Sequence, residues 1–330
     1  MPLPTVLVLG AQGRLGRAAV QAFASSGWRV LAQARRADGL GPLALTLPLA
    51  DTAALAQAAQ GARAVVYAVN PLYTRWDAEM LPLARQGMDV AERLGATFLL
   101  PGNVYAYGAG MPPRLTETTP EAPSTRKGEL RAQLEHELAE RAAAGRLRSA
   151  VLRAGDFFGP GQGPNIGTWL DLLIAKKLPQ GRLVYPGPMD GVSHAWAYLP
   201  DLAQAFVALA ERRGADAHER LHFEGHTLTG RELLEGLARA AMRLGWIEHV
   251  HAKPMAWWSW QLAAPFVPLL RELLTMRYLW DVPHQLDGTR LRQRLGEALP
   301  HTPLDEALIA TLRTWRPEGP QATPVAAEAA

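Results

Sequence analysis

Residues 5–16 read Thr-Val-Leu-Val-Leu-Gly-Ala-Gln-Gly-Arg-Leu-Gly. A short apolar, β-type run ends directly on Gly10, and Gly13 and Gly16 follow at three-residue spacing. An amphipathic stretch over residues 14–25 has helical periodicity. A buried strand must therefore turn sharply into a helix, and each glycine removes a side chain that would obstruct the turn. Bare backbone at this point can approach a pyrophosphate, held by the free N–H groups and positive dipole end of the helix. Strand, glycine triplet and helix in this order predict a dinucleotide-binding turn. Gly10, Gln12, Gly13, Arg14, Leu15 and Gly16 are its candidate contacts. The plainer alternative is a tight strand-to-helix turn with no ligand.

The next apolar run, 28–32, leads to the position that reads the adenosine ribose, about 20 residues past the glycines. A carboxylate there would accept hydrogen bonds from the 2′-hydroxyl and repel a 2′-phosphate. This chain has Ala34, Arg35 and Arg36, with no acid before Asp38. Guanidinium groups bind phosphate through bidentate, charge-assisted bonds, so Arg35 and Arg36 favour NADP(H) over NAD(H). Arg14, inside the loop, is a third candidate for that phosphate. Against this, arginine is simply abundant, with 30 Arg to four Lys.

At 330 residues the chain exceeds one compact core, which predicts two lobes. Its 48% hydrophobic and 20% charged residues and net charge of +3 describe an ordinary globular protein, with no basic block for nucleic acid. No cysteine is present, which excludes disulfides, thiolate metal sites and cysteine nucleophiles and agrees with a cytoplasmic location. No leader peptide is legible at the N-terminus. The apolar segment 256–270 is broken by Pro265 and Pro268 and is too short to span a bilayer, so it reads as a buried helix pair or a pocket wall, with interfacial membrane contact as the alternative. Neither HExxH spacing nor a G-x-S-x-G elbow occurs, and no metal is expected.

Strand signals at 5–9, 28–32, 43–47, 64–69, 97–100 and 149–153 alternate with helical stretches near 14–25, 52–60, 75–94 and 125–144. The alternation predicts an α/β fold: a doubly wound parallel sheet of Rossmann type with a smaller, mostly helical C-terminal substrate lobe. Ser124 is the expected N-cap of the fourth helix. Further helices are expected near 165–177, 201–212 and 230–244, the last with a Thr229–Glu232 capping box, and one beginning at Thr302-Pro303 with Asp305 completing its cap. The expected division is 1–155 for the nucleotide-binding domain, with 196–228 returning to it, 156–195 and 229–316 for the substrate lobe, and a disordered tail over 317–330.

Several segments together resemble an extended short-chain dehydrogenase/reductase of the NAD-dependent epimerase/dehydratase family. The glycine loop matches that family's GxxGxxG. Asn103-Val104-Tyr105 resembles the end of its SSxxVYG strand, Glu117-Thr118-Thr119-Pro120 its ETxP loop, and Leu152-Arg153 to Gly161 its LRPxNVYGPG segment. Tyr198 to Ala203 resembles the HVDDVA helix start, and 287–296 and 301–307 the closing pieces. The resemblance implies a Tyr general acid/base, a Lys four residues later that lowers the Tyr pKa from about 10 and holds the nicotinamide ribose, and a Ser or Thr. Lys127 is in place. Pro123 stands where the Tyr belongs and Pro101 where the Ser or Thr belongs.

The departure leaves two functional readings. In the first the chain is an NADP(H)-dependent oxidoreductase or epimerase acting on a small carbonyl or nucleotide sugar, with Lys127 on the ribose and Tyr105 as a relocated proton donor. Tyr105 and Tyr107 have packing roles as their alternative. Candidate substrate contacts are Tyr73, Trp76, Asn103, Phe157 and His194. Tyr73 and Trp76 read equally as lobe packing, and His194 as a structural histidine. Lys176, Lys177 and Arg182 are candidates for a diphosphate or plain surface. In the second reading the chain is a catalytically inactive NADP(H) sensor or scaffold. Pairing through a helix bundle, common in the family, extends by analogy to a homodimer.

Overall fold

The computed structural model describes residues 2–41, 43–161, 168–212, 214–296 and 299–315. The expected tail over 317–330 lies outside them. Strands β1 (Thr5–Leu9), β2 (Arg29–Gln33), β3 (Ala44–Leu45), β4 (Ala62–Tyr67) and β5 (Thr97–Gly102) are followed by a short β6 (Arg114–Leu115) and by β7 (Arg148–Arg153). Next come β8 (Asp156–Phe158), β9 (Arg182–Tyr185), β10 (Ser193–Tyr198), β11 (His218–His222) and β12 (His226–Thr229). The central sheet is parallel and has seven strands in the order β11-β7-β5-β4-β1-β2-β3. The order reverses beside β1, the arrangement that opens a ligand crevice at the carboxyl ends of the strands.

Helices α1 (Arg14–Ser25), α2 (Thr52–Ala58), α3 (Trp76–Leu94), α4 (Arg126–Ala143) and α5 (Leu199–Glu211) flank the sheet. Every residue of β1 is buried, because both faces of the strand are covered. One apolar cluster joins Leu7, Leu9 and Val65 to Met80, Met88 and Leu134 of α3 and α4. The other joins Val6, Val8 and Val66 to Leu15 of α1 and Leu202 and Phe206 of α5. The seventh strand, β11, escaped the sequence reading. Its sequence His-Glu-Arg-Leu-His has little apolar periodicity, and it becomes a strand by lying in register on β7, with Arg220 opposite Val151.

A third apolar cluster organises the C-terminal part around α6 (Gly230–Arg243), with Leu233, Leu237, Trp196, Trp280 and Leu308. The Thr229–Glu232 capping box forms as expected. Three local expectations need correction. Thr125, not Ser124, caps α4, its side chain accepting from Gly128 N, while the Ser124 hydroxyl accepts from Ala109 N. The last helix, Leu304–Arg313, is not capped by Thr302, whose N–H and hydroxyl both bond Asp201 at 2.7 Å. The segment 256–270 forms α7 (Trp257–Ala263) and the first part of α8 (Pro268–Thr275), but only one side is buried: Trp257 is 8% exposed, while Trp258, Leu262 and Phe266 are 65%, 69% and 86% exposed. No helix among the described residues is long and apolar enough to cross a membrane.

Candidate functional site

At the β1–α1 turn, two of the three glycines are demanded by the turn itself. Gly10 has φ +77°, and a Cβ there would lie 2.9 Å from the Ala68 carbonyl and the Val69 nitrogen. A Cβ on Gly16 would stand 2.3 Å from the Gly10 oxygen. Gly13 is different: its nearest neighbour would be 3.4 Å away, an ordinary contact, and its φ of −67° suits any residue. Packing does not explain the bareness of Gly13. It precedes a helix whose N-terminus has no capping side chain and no acid in its first turn. A phosphate fits there, since it would supply the missing acceptor and meet the dipole. Leu15 is buried beneath the turn, and the Gln12 carbonyl accepts from Arg17 Nε.

At the end of β2, Ala34 is buried while Arg35 and Arg36 are exposed. Gln33 is used internally, its Oε1 accepting from Gly10 N and its Nε2 donating to Leu47 O. Arg14 does not face this end of the site. It is ion-paired with Asp171 and donates to Gly159 O at 2.5 Å, so it fastens the loop after β8. Arg17 is the guanidinium that leans toward the loop after β2, with its Nη1 beside Gly39. The sequence reading missed it because it lies outside the glycine motif.

Across the sheet, β5 ends in the turn holding Asn103 and Tyr105. Asn103 Oδ1 accepts from Tyr105 N at 3.0 Å, so that oxygen shapes the turn and is not free for a substrate. The Tyr105 hydroxyl lies 2.6 Å from the Tyr73 hydroxyl. Burial, then the neighbouring Tyr73, holds the Tyr105 phenol well above its usual value. Burial likewise pushes Tyr73 up to about 12. Trp76 is 2% exposed and donates to Pro71 O, with the Arg131 guanidinium 4.9 Å above its ring. It belongs to the core, and Tyr73 is half-buried and packs against the same cluster.

Lys127 stands in the first turn of α4, 4% exposed, with its Nζ 5.0 Å from the centre of the Tyr73 ring. Its ammonium is ion-paired with Glu272 of α8. A dinucleotide whose ribose uses Lys127 would compete with that carboxylate for the ammonium. Beneath this, Arg153 at the end of β7 is fully buried and donates to Glu135 of α4 at 2.7 Å. It fixes α4 on the sheet and thereby the height of Lys127.

The third wall comes from β8 and β10. Asp156 lies opposite Trp196 in the parallel register, and the two-residue period of a strand puts His194 on the same face. Asp156 Oδ2 is 2.9 Å from His194 Nε2, and His194 Nδ1 is 3.2 Å from Leu279 O. The imidazole stacks on Trp280 at 4.4 Å with its plane within 6°. Gly155 allows this approach, since a Cβ there would lie 2.0 Å from Ala195 O. Phe157 is half-buried and packs against the second core cluster. A narrow cleft is lined by Asn103, Tyr105, Gly155, Asp156, His194 and His284. Lys176, Lys177 and Arg182 are exposed.

A model of the NAD dependent epimerase/dehydratase family matches residues 6–223. Among solved structures, a Burkholderia cenocepacia J2315 protein aligns over 96% of this chain and 99% of its own, with TM-score 0.74 and 22% identity. Thermus thermophilus UDP-glucose 4-epimerase in complex with NAD aligns over 94% and 99%, with TM-score 0.70 and 19% identity. Bordetella bronchiseptica WbmH in complex with NAD+ aligns over 96% and 100%, with TM-score 0.71 and 18% identity. The curated protein sequences contain no significant match to this chain.

Proposed function

The chain belongs to the NAD dependent epimerase/dehydratase family, and from that premise we propose that it is an NADP(H)-dependent oxidoreductase acting on a small carbonyl or nucleotide-sugar substrate. The observation that carries the reading is Gly13, bare without a packing reason and set before an uncapped helix. When bound, a nicotinamide dinucleotide supplies hydride transfer to or from a carbon bearing oxygen. The backbone of Gly10 to Gly16 cradles its pyrophosphate. Arg35 and Arg36, with Arg17 near Gly39 of the same loop, offer guanidiniums to a 2′-phosphate, and no carboxylate at Ala34 opposes one. Lys127 holds the nicotinamide ribose once released from Glu272.

Titration of cofactor-stripped protein with NADPH and NADH tests this reading. Micromolar NADPH binding is expected to weaken tenfold or more in Arg35→Ala, with NADH binding nearly unchanged. Equal affinity for both dinucleotides in both proteins would remove the NADP(H) preference, and no binding of either would remove the whole reading. The Lys127–Glu272 pair favours a second reading, a dinucleotide sensor in which cofactor displaces α8. That reading predicts a cofactor-dependent change in oligomeric state or partner binding without oxidation of NADPH by any metabolite.

A further inference from the structure

Resting on the oxidoreductase reading, we propose that Asp156, held by His194, is the proton-exchanging group of the site. Both ring nitrogens of His194 face acceptors only: the Asp156 carboxylate at 2.9 Å and the Leu279 carbonyl at 3.2 Å. One of the two must lack a donor unless the ring carries both protons or Asp156 carries one. Four groups surround the ring. The Asp156 carboxylate faces Nε2, and Trp280 lies parallel to the ring 4.4 Å away. The second neighbour, Trp196, presents its ring at 5.0 Å. His284, at 4.6 Å, donates its Nδ1 proton to Val282 O and is kept neutral by its burial. The geometry thus places two protons on the pair, one on Nδ1 toward Leu279 O and one between Nε2 and Asp156 Oδ2.

His194 is 2% exposed and walled in, whereas the Asp156 side chain is 17% exposed and borders the cleft beside Tyr105. Asp156 is thus the member of the pair that a substrate oxygen can reach. Tyr105 is a poor substitute, because its hydroxyl is shared with Tyr73 and the ammonium meant to acidify a tyrosine is paired with Glu272. In the oxidative direction a substrate O–H bond breaks and its proton passes to Asp156. The oxygen's electron pair becomes the second carbonyl bond, as the neighbouring C–H leaves with its pair as hydride to the dinucleotide oxidant. In reduction Asp156 returns the proton to the carbonyl oxygen. His194 is a positioning residue: it fixes the carboxylate at the edge of the cleft.

The test uses the full chain labelled with 15N-histidine, with His194→Gln to assign its signals. At pH 7.5 both His194 ring nitrogens are expected to carry protons, and Asp156→Asn is expected to reduce them to one. A single bare ring nitrogen in the unsubstituted protein would overturn the proposal. The second arm follows NADPH oxidation with a panel of small aldehydes, ketoses and UDP-glucose. Asp156→Asn is expected to lose at least 100-fold in kcat and His194→Gln at least tenfold, with NADPH binding retained. Unchanged kcat in Asp156→Asn overturns the assignment, as does an unsubstituted protein that binds NADPH and turns over none of the panel. Absence of NADPH binding would instead sink the oxidoreductase reading, while the ring-nitrogen measurement still decides the state of the pair.

Discussion

The carboxylate of Glu272 sits on the ammonium of Lys127, joining α8 to the first turn of α4 across 145 residues of sequence. The lysine is buried and the glutamate about one-third exposed, so α8 brings its charge in from the solvent side. The contact places α8 over Lys127, the residue to which the proposed function assigns the nicotinamide ribose.

Glu272→Gln is expected to tighten NADPH binding about three- to tenfold, because the cofactor no longer competes with a carboxylate for Lys127. The same change leaves a buried ammonium without its partner, so stability should fall by about 1–3 kcal/mol, less than for a fully buried pair. Calorimetric titration and urea unfolding read the two effects separately. Weaker NADPH binding in this variant would mean that Glu272 supports the cofactor instead of opposing it.

Gly13→Ala and Gly16→Ala should part company. At Gly16 the new methyl meets the Gly10 carbonyl oxygen at 2.3 Å, so the turn must shift and unfolding should become easier by about 1–3 kcal/mol. At Gly13 the methyl has room, and Tm should change little while dinucleotide affinity drops roughly tenfold by obstruction of the bare backbone. Thermal melts with and without NADPH distinguish the two. Equal loss of stability in both variants would show that Gly13 is a folding residue only.

Acid should destabilise the fold before the carboxylates titrate. His222 is fully buried, with its Nε2 2.7 Å from the Tyr107 hydroxyl and its Nδ1 3.2 Å from Leu115 O. Burial, then the Arg153 charge, lowers its pKa to about 4, and burial, then His194, lowers that of His284 to about 3. As pH falls through 6.5 the unfolded chain gains protons that the folded chain refuses, so this stability is complete above 6.5 and is lost toward 4. His222 alone accounts for at most about 3 kcal/mol. Urea unfolding between pH 7.5 and 4.5 should show the slope, and His222→Asn should flatten it. A profile that is flat to pH 5 in the unsubstituted protein would contradict the buried neutral imidazoles.

How far the sequence carried depends on whether a signal was local. The glycine loop, the strands at 5–9 and 149–153 and the helix at 14–25 are legible because apolar period and glycine spacing are properties of contiguous residues. The seventh strand was not, since His-Glu-Arg-Leu-His owes its conformation to the neighbouring β7. Arg14 reads as a phosphate ligand in one dimension, yet Asp171 claims it from 157 residues away. Nothing in the apolar pattern of 256–270 says that α7 leaves Trp258 in solvent while Glu272 of α8 reaches inward to Lys127.

By itself, then, the sequence determined the parallel Rossmann-type sheet, the bare turn at Gly10 to Gly16, the absence of an acid at Ala34 and a proline at 123, where the family resemblance implies a tyrosine. Each is fixed by residue identity and spacing along one strand or one turn. Tertiary structure alone decided which charges meet: Lys127 with Glu272, Arg14 with Asp171, and Asp156 with His194. Those encounters join residues 38 to 157 positions apart, and their distances depend on how the layers pack, which no local periodicity encodes.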